Sequence, residues 1–319
     1  MTPRRTALAL LLASPALAQP WQPARPIRLV LPLASGGSLD ALARALGNRI
    51  TGPLGRPIVV EARPGGGGNL AYELVARSAP DGHTLLLGWD SLTINPALHQ
   101  RLPYDPLRDF APVALTTAAP LALVVRADSP HTTLAGLVSA LRARARPWSW
   151  GSPGNGSIGH LTGEQFRALA GVPDFTHVPY RGAAPALIDL MAGVVDAFWG
   201  NLPASIEHVR DGRLRALAVT SAARSSSLPD APTAAEQGFP GLVVISWQGV
   251  LAPAGTPEPV IERLNAEINL ALEHPETRAW LIGQGAEPAG GAPAVLTELL
   301  RRDLPRWEAL VRQANIRPD

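Results

Sequence analysis

The chain has 319 residues, 46% of them hydrophobic, with 28 basic and 26 acidic side chains and no cysteine. Without cysteine there can be no disulfides, thiolate metal sites or cysteine nucleophile, and the lack of any lysine excludes a Walker-type phosphate loop, a Schiff-base lysine and a Ser–Lys dyad. The near balance of charge becomes 26 against 26 once Arg4 and Arg5 are set aside, which removes a general electrostatic case for nucleic acid or an anionic membrane.

Residues 1–18, MTPRRTALALLLASPALA, read as an export signal with cleavage before Gln19. Arg4 and Arg5 form the positive end, Thr6 to Leu12 an apolar core too short to span a bilayer, and Ala16-Leu17-Ala18 a small-residue cleavage site. The arginine pair also resembles a twin-arginine signal. Strand-like and helical runs then alternate: PIRLVLPL with SLDALARALGNRI, PIVVEARP with NLAYELVARSA, HTLLLGW, and PLALVVRAD with LAGLVSALRARA. A second block follows with PWSWGSPG and HLTGEQFRALAG, FTHVPY and APALIDLMAG, VDAFWGN and PASIEHVRDG, then LRALAVTS. This rhythm predicts parallel sheets covered by helices, and the chain is long enough for two domains. After a Ser/Pro/Ala-rich link from Ala222 to Ala235, the rhythm breaks into one strand, VVISWQGVLAP, and helices over Pro257 to Leu272, Pro275 to Gln284 and Ala292 to Gln313.

Each block carries a glycine-rich loop where a strand hands over to a helix: LPLASGGSLD in the first and GSPGNGSIGH in the second. Such a loop leaves helix N-terminal N–H groups uncovered and lets a ligand approach the backbone, so with the helix dipole it can hold an anion without a basic side chain. Two such loops on separate α/β blocks describe a clamp, with a carboxylate or similar anion held between facing helix ends. Gly66-Gly67-Gly68-Asn69-Leu70-Ala71 formally fits a dinucleotide fingerprint, with Asp90 at about the ribose-contact distance, but it follows the second strand and an Arg63-Pro64 interruption; a turn is the better reading. Ser157 and His160 suggest a Ser–His pair, yet Asn155 stands where a nucleophile elbow needs glycine. The remaining histidines show no metal-ligand spacing.

Taken in order, PIRLVLPLASGGSLDALAR, GRPIVVEARPGGGGNLAYELVARSAPDGHTLLLG, INPALHQRLPYDPLRDFAPVAL, GSPGNGSIGHLTGEQF, HVPYRGAAPALIDLMAGVVDAFWGNLPAS and SWQGVLAPAGTP resemble the Bug family of extracytoplasmic solute receptors, the TctC-like proteins of tripartite tricarboxylate transporters. The resemblance covers essentially all of residues 19–319. It implies an α/β fold like a type II periplasmic binding protein, with lobe one from residues 19–125 and 222–319, lobe two from 126–221, and a ligand cleft between them. It also implies capture of a small organic carboxylate, no catalysis, no cofactor or metal, membrane transporter subunits as partners, a monomer, and a periplasmic location. The rival readings are an exported serine hydrolase using Ser157 and His160, and a receptor that feeds a signalling partner.

Carried onto this sequence, the first loop supplies Ser35, Gly36, Gly37 and Ser38 with Asp40 in the opening helical turn, and the second supplies Ser152, Gly154, Asn155, Gly156 and Ser157. Asp40 has an equal reading as a helix N-terminal charge. Tyr180-Arg181-Gly182 opens another helix at the cleft, Arg181 being the candidate for direct anion pairing; Asn201 ends a cleft-facing strand, and Trp247 lines the pocket or the hinge. Trp89-Asp90-Ser91 stands where the family has small polar residues. If Asp90 faces the cleft it favours a ligand with one carboxylate and a hydrogen-bond donor, such as an amino acid, over a dicarboxylate; the alternative is that Asp90 caps the following turn.

Overall fold

The structure is a computed structural model that describes residues 21–143 and 146–317; the expected leader lies outside the described residues. Apolar runs bounded by glycine and proline set the first strands, β1 (Ile27–Leu31), β2 (Ile58–Ala62) and β3 (Thr84–Trp89). They alternate with α1 (Ser38–Leu54), α2 (Asn69–Ala76) and α3 (Ser91–Leu98). A 17-residue strand, β4 (Phe110–Arg126), leads through α4 (Leu134–Ala143) into β5 (Trp148–Ser152), α5 (Ile158–Ala170), β6 (Phe175–Pro179), α6 (Ala183–Ala192), β7 (Ala197–Asn201), α7 (Leu202–Arg210) and β8 (Leu214–Val219). The chain ends with β9 (Ile245–Pro253), α8 (Glu258–Glu273), α9 (Pro275–Gly283), the short β10 (Glu287–Pro288) and α10 (Pro293–Gln313).

Among the described residues the strands form one curled sheet in the order β2-β1-β3-β9-β4-β7-β5-β6, with β8 and β10 also paired to β4. The expected parallel pairing holds for β1 with β2 and β3, and for β5 with β6 and β7. The centre differs: β9 is antiparallel to β3 and β4, and β4 is antiparallel to β7 and β8. The reason is topological, since β4 carries the chain from one half of the sheet to the other and β9 brings it back, and neither needs the helical crossover that enforces parallel pairing. The handover sits at a proline: Pro120 is the last β4 residue registered with β9, and Leu121 is the first registered with β7. Proline cannot donate to a ladder, so it fits where one set of pairings stops.

Each half has its own buried side chains. Leu29, Leu42, Leu46, Leu87 and Val250 pack under α1 and α8, while Trp150, Leu161, Phe166 and Trp199 pack under α5. The link that follows β8, grouped by the sequence with the first lobe, puts Ala231, Ala234, Leu242 and Val244 into the cores of the second half. Helix α10 serves both: Leu296, Leu299 and Leu300 lie in a core with Tyr72 and Leu86, and Trp307 and Val311 lie in the core with Leu161 and Phe166.

Candidate ligand cleft

The second glycine loop is built tightly from its own residues. Ser157 is the N-cap of α5, where its Oγ accepts from the His160 N–H at 3.2 Å and donates to the Gly154 carbonyl at 2.7 Å. Gly154 and Gly156 have φ of 148° and 69°, and a Cβ on Gly156 would lie 2.5 Å from Leu98 of α3, so the loop and the opposite half approach within contact distance. Behind the loop, Gly182 N–H donates to the Pro153 carbonyl and Tyr180 N–H to the Ser152 carbonyl. We expect Gly156→Ala to lower unfolding free energy by about 1–2 kcal/mol through the left-handed backbone alone, a loss that chemical denaturation will read.

The first glycine loop is open by contrast. Ser35, Gly36, Gly37 and Ser38 are exposed at the start of α1. Asp40 turns back on this loop: its carboxylate accepts from the Gly36 N–H at 3.3 Å and from Arg44 at 2.9 and 3.1 Å. The Arg44 hydrogen bonds hold its carboxyl below the usual range. Asp40 thus braces the loop and keeps its charge matched.

Two cavities lie between the halves and meet at Asn201. The first, of about 250 Å³, is lined by Ser38 and Leu42 of α1, Asn201, Gln248 of β9, and Trp280 and Gln284 of α9 and its end. The second, of about 370 Å³, is lined by Gly66 and Gly67, by Asp90, Ser91, Ile94 and Asn95 on the α3 side, by Leu98 and His99, and by residues Pro153 to Ile158 of the second loop. Ser38 borders the first chamber and Gly154 to Ser157 the second, with Asn201 common to both. The Asn201 side chain caps nothing and its Oδ1 is buried without a partner among the described residues. Gly66 and Gly67, read from sequence as a turn, line the cleft, and Gln248, Trp280 and Gln284 carried no sequence signal because only the return of β9 and α9 brings them there.

Asp90 and Ser91 border the second chamber, whereas Trp247, Tyr180 and Arg181 border neither chamber. Asp90 is 2% exposed, and its carboxylate points into β9, accepting from Ser246 Oγ at 2.7 Å and from the Trp247 N–H at 2.9 Å. Its side chain does not cap α3, and both carboxylate oxygens are engaged by β9 although the residue borders the second chamber; burial, aided by the nearby Asp303 charge, pushes its carboxyl up to about 7. Ser91 lines the second chamber with its hydroxyl 2.6 Å from that of Tyr72. Trp247 is 1% exposed and packed with Tyr72, Leu86 and Leu296. It is a core side chain on the crossing strand and borders neither chamber, because alternation along β9 turns Ser246 and Gln248 to the cavity instead. Tyr180 donates its hydroxyl to Asp189, and Arg181 is exposed away from both chambers, so this segment supports the second loop from behind.

A Ser–His nucleophile pair is not formed. Ser157 Oγ is spent on the Gly154 carbonyl and the His160 backbone, and His160 Nδ1 accepts from the Gly156 N–H at 3.0 Å. With Nδ1 accepting from the Gly156 N–H, that ring nitrogen is not turned to the Ser157 hydroxyl as a general base would be.

The sequence profile described as "Tripartite tricarboxylate transporter family receptor" matches residues 42–316. The protein BugT of Bordetella pertussis is 38% identical over 95% of this chain and 93% of its own length. The structure described as "R. palustris Rpa4515 with adipate" superposes with a TM-score of 0.83 at 38% identity, over 93% of this chain and 99% of that one. MatC from Rhodopseudomonas palustris, solved with bound malate, gives 0.78 at 36% identity, over 91% and 99%. A curled mixed sheet with an inter-half cleft is thus the periplasmic-binding-protein fold, and the chain belongs to the tripartite tricarboxylate transporter receptors, the TctC- and Bug-like solute-binding proteins.

Proposed function

We propose that this receptor captures a small organic carboxylate in the cleft and performs no chemistry on it. The observation that carries the reading is the loop Gly154 to Ser157 at the N-terminus of α5, walling a 370 Å³ chamber whose opposite side is the start of α3. Helix N-termini facing a partly apolar cavity suit a carboxylate on a small hydrocarbon frame. The adipate and malate of the two related structures support the same ligand class. Lobe one is taken as residues 19–125 and 222–319 and lobe two as residues 126–221, with the chain passing between them at the end of β4 and after β8. A monomer in the periplasm that hands its ligand to membrane transporter subunits fits the family and the absence, among the described residues, of any helix long and apolar enough to cross a membrane.

A thermal-shift series of the exported protein against acetate, hexanoate, benzoate, malate, adipate and amino acids tests this. A carboxylate at a hundred times its dissociation constant stabilises by ~2.7 kcal/mol, a midpoint shift of a few degrees. Stabilisation by the matching amides or alcohols but by no carboxylate would sink the proposal. Because Asp90 is occupied by β9, a free donor on the ligand gains nothing from it, and Asp90→Asn leaves ligand preference unchanged.

A further inference from the structure

Beneath the second loop lie two imidazoles that solute binding as described does not use. His160 of α5 and His177 of β6 stack with ring centroids 3.8 Å apart and planes 13° off parallel. His160 is 6% exposed, and its Nδ1 accepts from the Gly156 N–H at 3.0 Å. His177 Nε2 lies 2.7 Å from Ser152 Oγ, which accepts from the Gly154 N–H at 3.2 Å. The two glycine amides of the loop are thus held, one directly and one through a serine, by one ring each.

This arrangement fixes a protonation state. A ring nitrogen that accepts from an amide cannot carry a proton, so neutral His160 is the Nε2–H tautomer, with Nε2 3.9 Å from Glu164 Oε1. Two imidazolium rings in face-to-face contact would repel, so the stack tolerates little charge. Among the described residues, the charged groups beside it are Glu164 and Arg167, paired with each other at 3.1 Å on the same helix. From β5 come Trp150, 4.4 Å from the His177 ring, and Ser152, and α10 meets the Glu164 and Arg167 edge with the uncharged Leu310 and Gln313. Burial, His160 and Arg167 push the His177 ring down to about 3, so His177 is neutral throughout the physiological range.

We propose that His160 and His177 are positioning residues for ligand capture: by anchoring the Gly154 and Gly156 amides from beneath, the neutral pair holds the Gly154-to-Ser157 loop in its cleft-lining arrangement, and protonation of His160 releases the loop and weakens binding. The inference rests on the carboxylate reading of the cleft for its consequence, though not for its geometry.

The test has one arm without ligand and one with adipate as the probe. Imidazole ¹⁵N spectra of the wild-type protein at about pH 7.5 report the His160 tautomer, and amide exchange reports protection at Gly156. The expected results are the Nε2–H tautomer, a protected Gly156 amide in wild type, loss of that protection in His160→Ala, and its substantial recovery in His160→Asn, whose Oδ1 can accept near the Nδ1 position. Adipate affinity of the wild type should fall about fivefold to tenfold as His160 titrates, and the fall should be absent in His160→Asn. An Nδ1–H tautomer, Gly156 protection in His160→Ala equal to wild type, or adipate affinity that stays level while the His160 ring titrates would each overturn the proposal. Should adipate fail to bind wild type at any pH, the adipate arm counts against the carboxylate reading, and tautomer and protection alone decide the positioning role.

Discussion

Trp150→Ala is expected to cost about 3–5 kcal/mol of stability, the upper range for a buried aromatic truncation. The indole is fully buried at the centre of the second half, with its Nε1–H donating to the Phe175 carbonyl at 3.3 Å. Its neighbours cannot collapse into the space it would leave. The helix above it presents Gly163, where an added Cβ would lie 2.1 Å from the ring, and Gly159, where one would lie 2.4 Å from the Trp199 carbonyl oxygen. Helix α5 therefore sits on the sheet at a separation that only these glycines permit, and the Trp150 ring fills the gap. For the same reason Gly163→Ala costs about 1–3 kcal/mol by overpacking, and pairing it with Trp150→Phe recovers part of that loss. Urea denaturation of the three variants decides the matter; a Trp150→Ala loss below about 1 kcal/mol would show that the helix can settle onto the sheet after all.

Replacement of Asp90 by asparagine should stabilise the protein at neutral pH, a direction opposite to that of most substitutions in a core. In the folded chain the Asp90 carboxyl is pushed up to about 7 from the model-peptide value of 3.8. The folded state therefore binds more protons than the unfolded state between about pH 4 and pH 7, and stability falls as pH rises through that window. Three or so units correspond to on the order of 4 kcal/mol between the acidic and neutral limits. Asparagine keeps an oxygen to accept from the Trp247 N–H and an amide to meet Ser246 Oγ, without a charge to bury beside Asp303. The difference in unfolding free energy between Asp90→Asn and wild type should be small near pH 4, grow toward pH 7 and then level off. A difference that stays flat, or that shrinks as pH rises, would refute the account.

Much of the architecture could be read locally. The run IRLVL followed by small residues and an amphipathic SLDALARAL marks a strand and helix wherever it folds, and β1 and α1 stand where that pattern puts them. The same holds for WSWGS followed by the Ser157 cap of α5. What escaped was non-local or carried a contrary local signal. Helix α3 contains Pro96 and the first half of β4 contains Pro112, residues that argue against both elements when seen alone. The antiparallel centre depends on where β9 returns, which no window of sequence records. At the site, backbone-rich features such as the Gly154-to-Ser157 loop were legible because glycine and a helix cap advertise themselves. The direction of the Asp90 carboxylate was not, since it depends on Ser246 and Trp247, more than 150 residues away.

The long C-terminal helix has a mechanical consequence. Its first three turns are seated in one half through Leu296, Leu299 and Leu300 and its later turns in the other through Trp307 and Val311, with Pro305 between the two seats. A proline there removes one rung of the helical ladder, the one from residue 305 back to residue 301, and makes this stretch the softest in bending. The two halves are joined both by the crossing strands and by this helix, and the chain that follows the helix reaches the second loop, where Asn155 donates to the Arg317 carbonyl at 2.6 Å. Any separation of the halves about the crossing strands would have to flex this helix at Pro305 or unseat Trp307, so the helix resists such a motion in proportion to how firmly its two ends are seated.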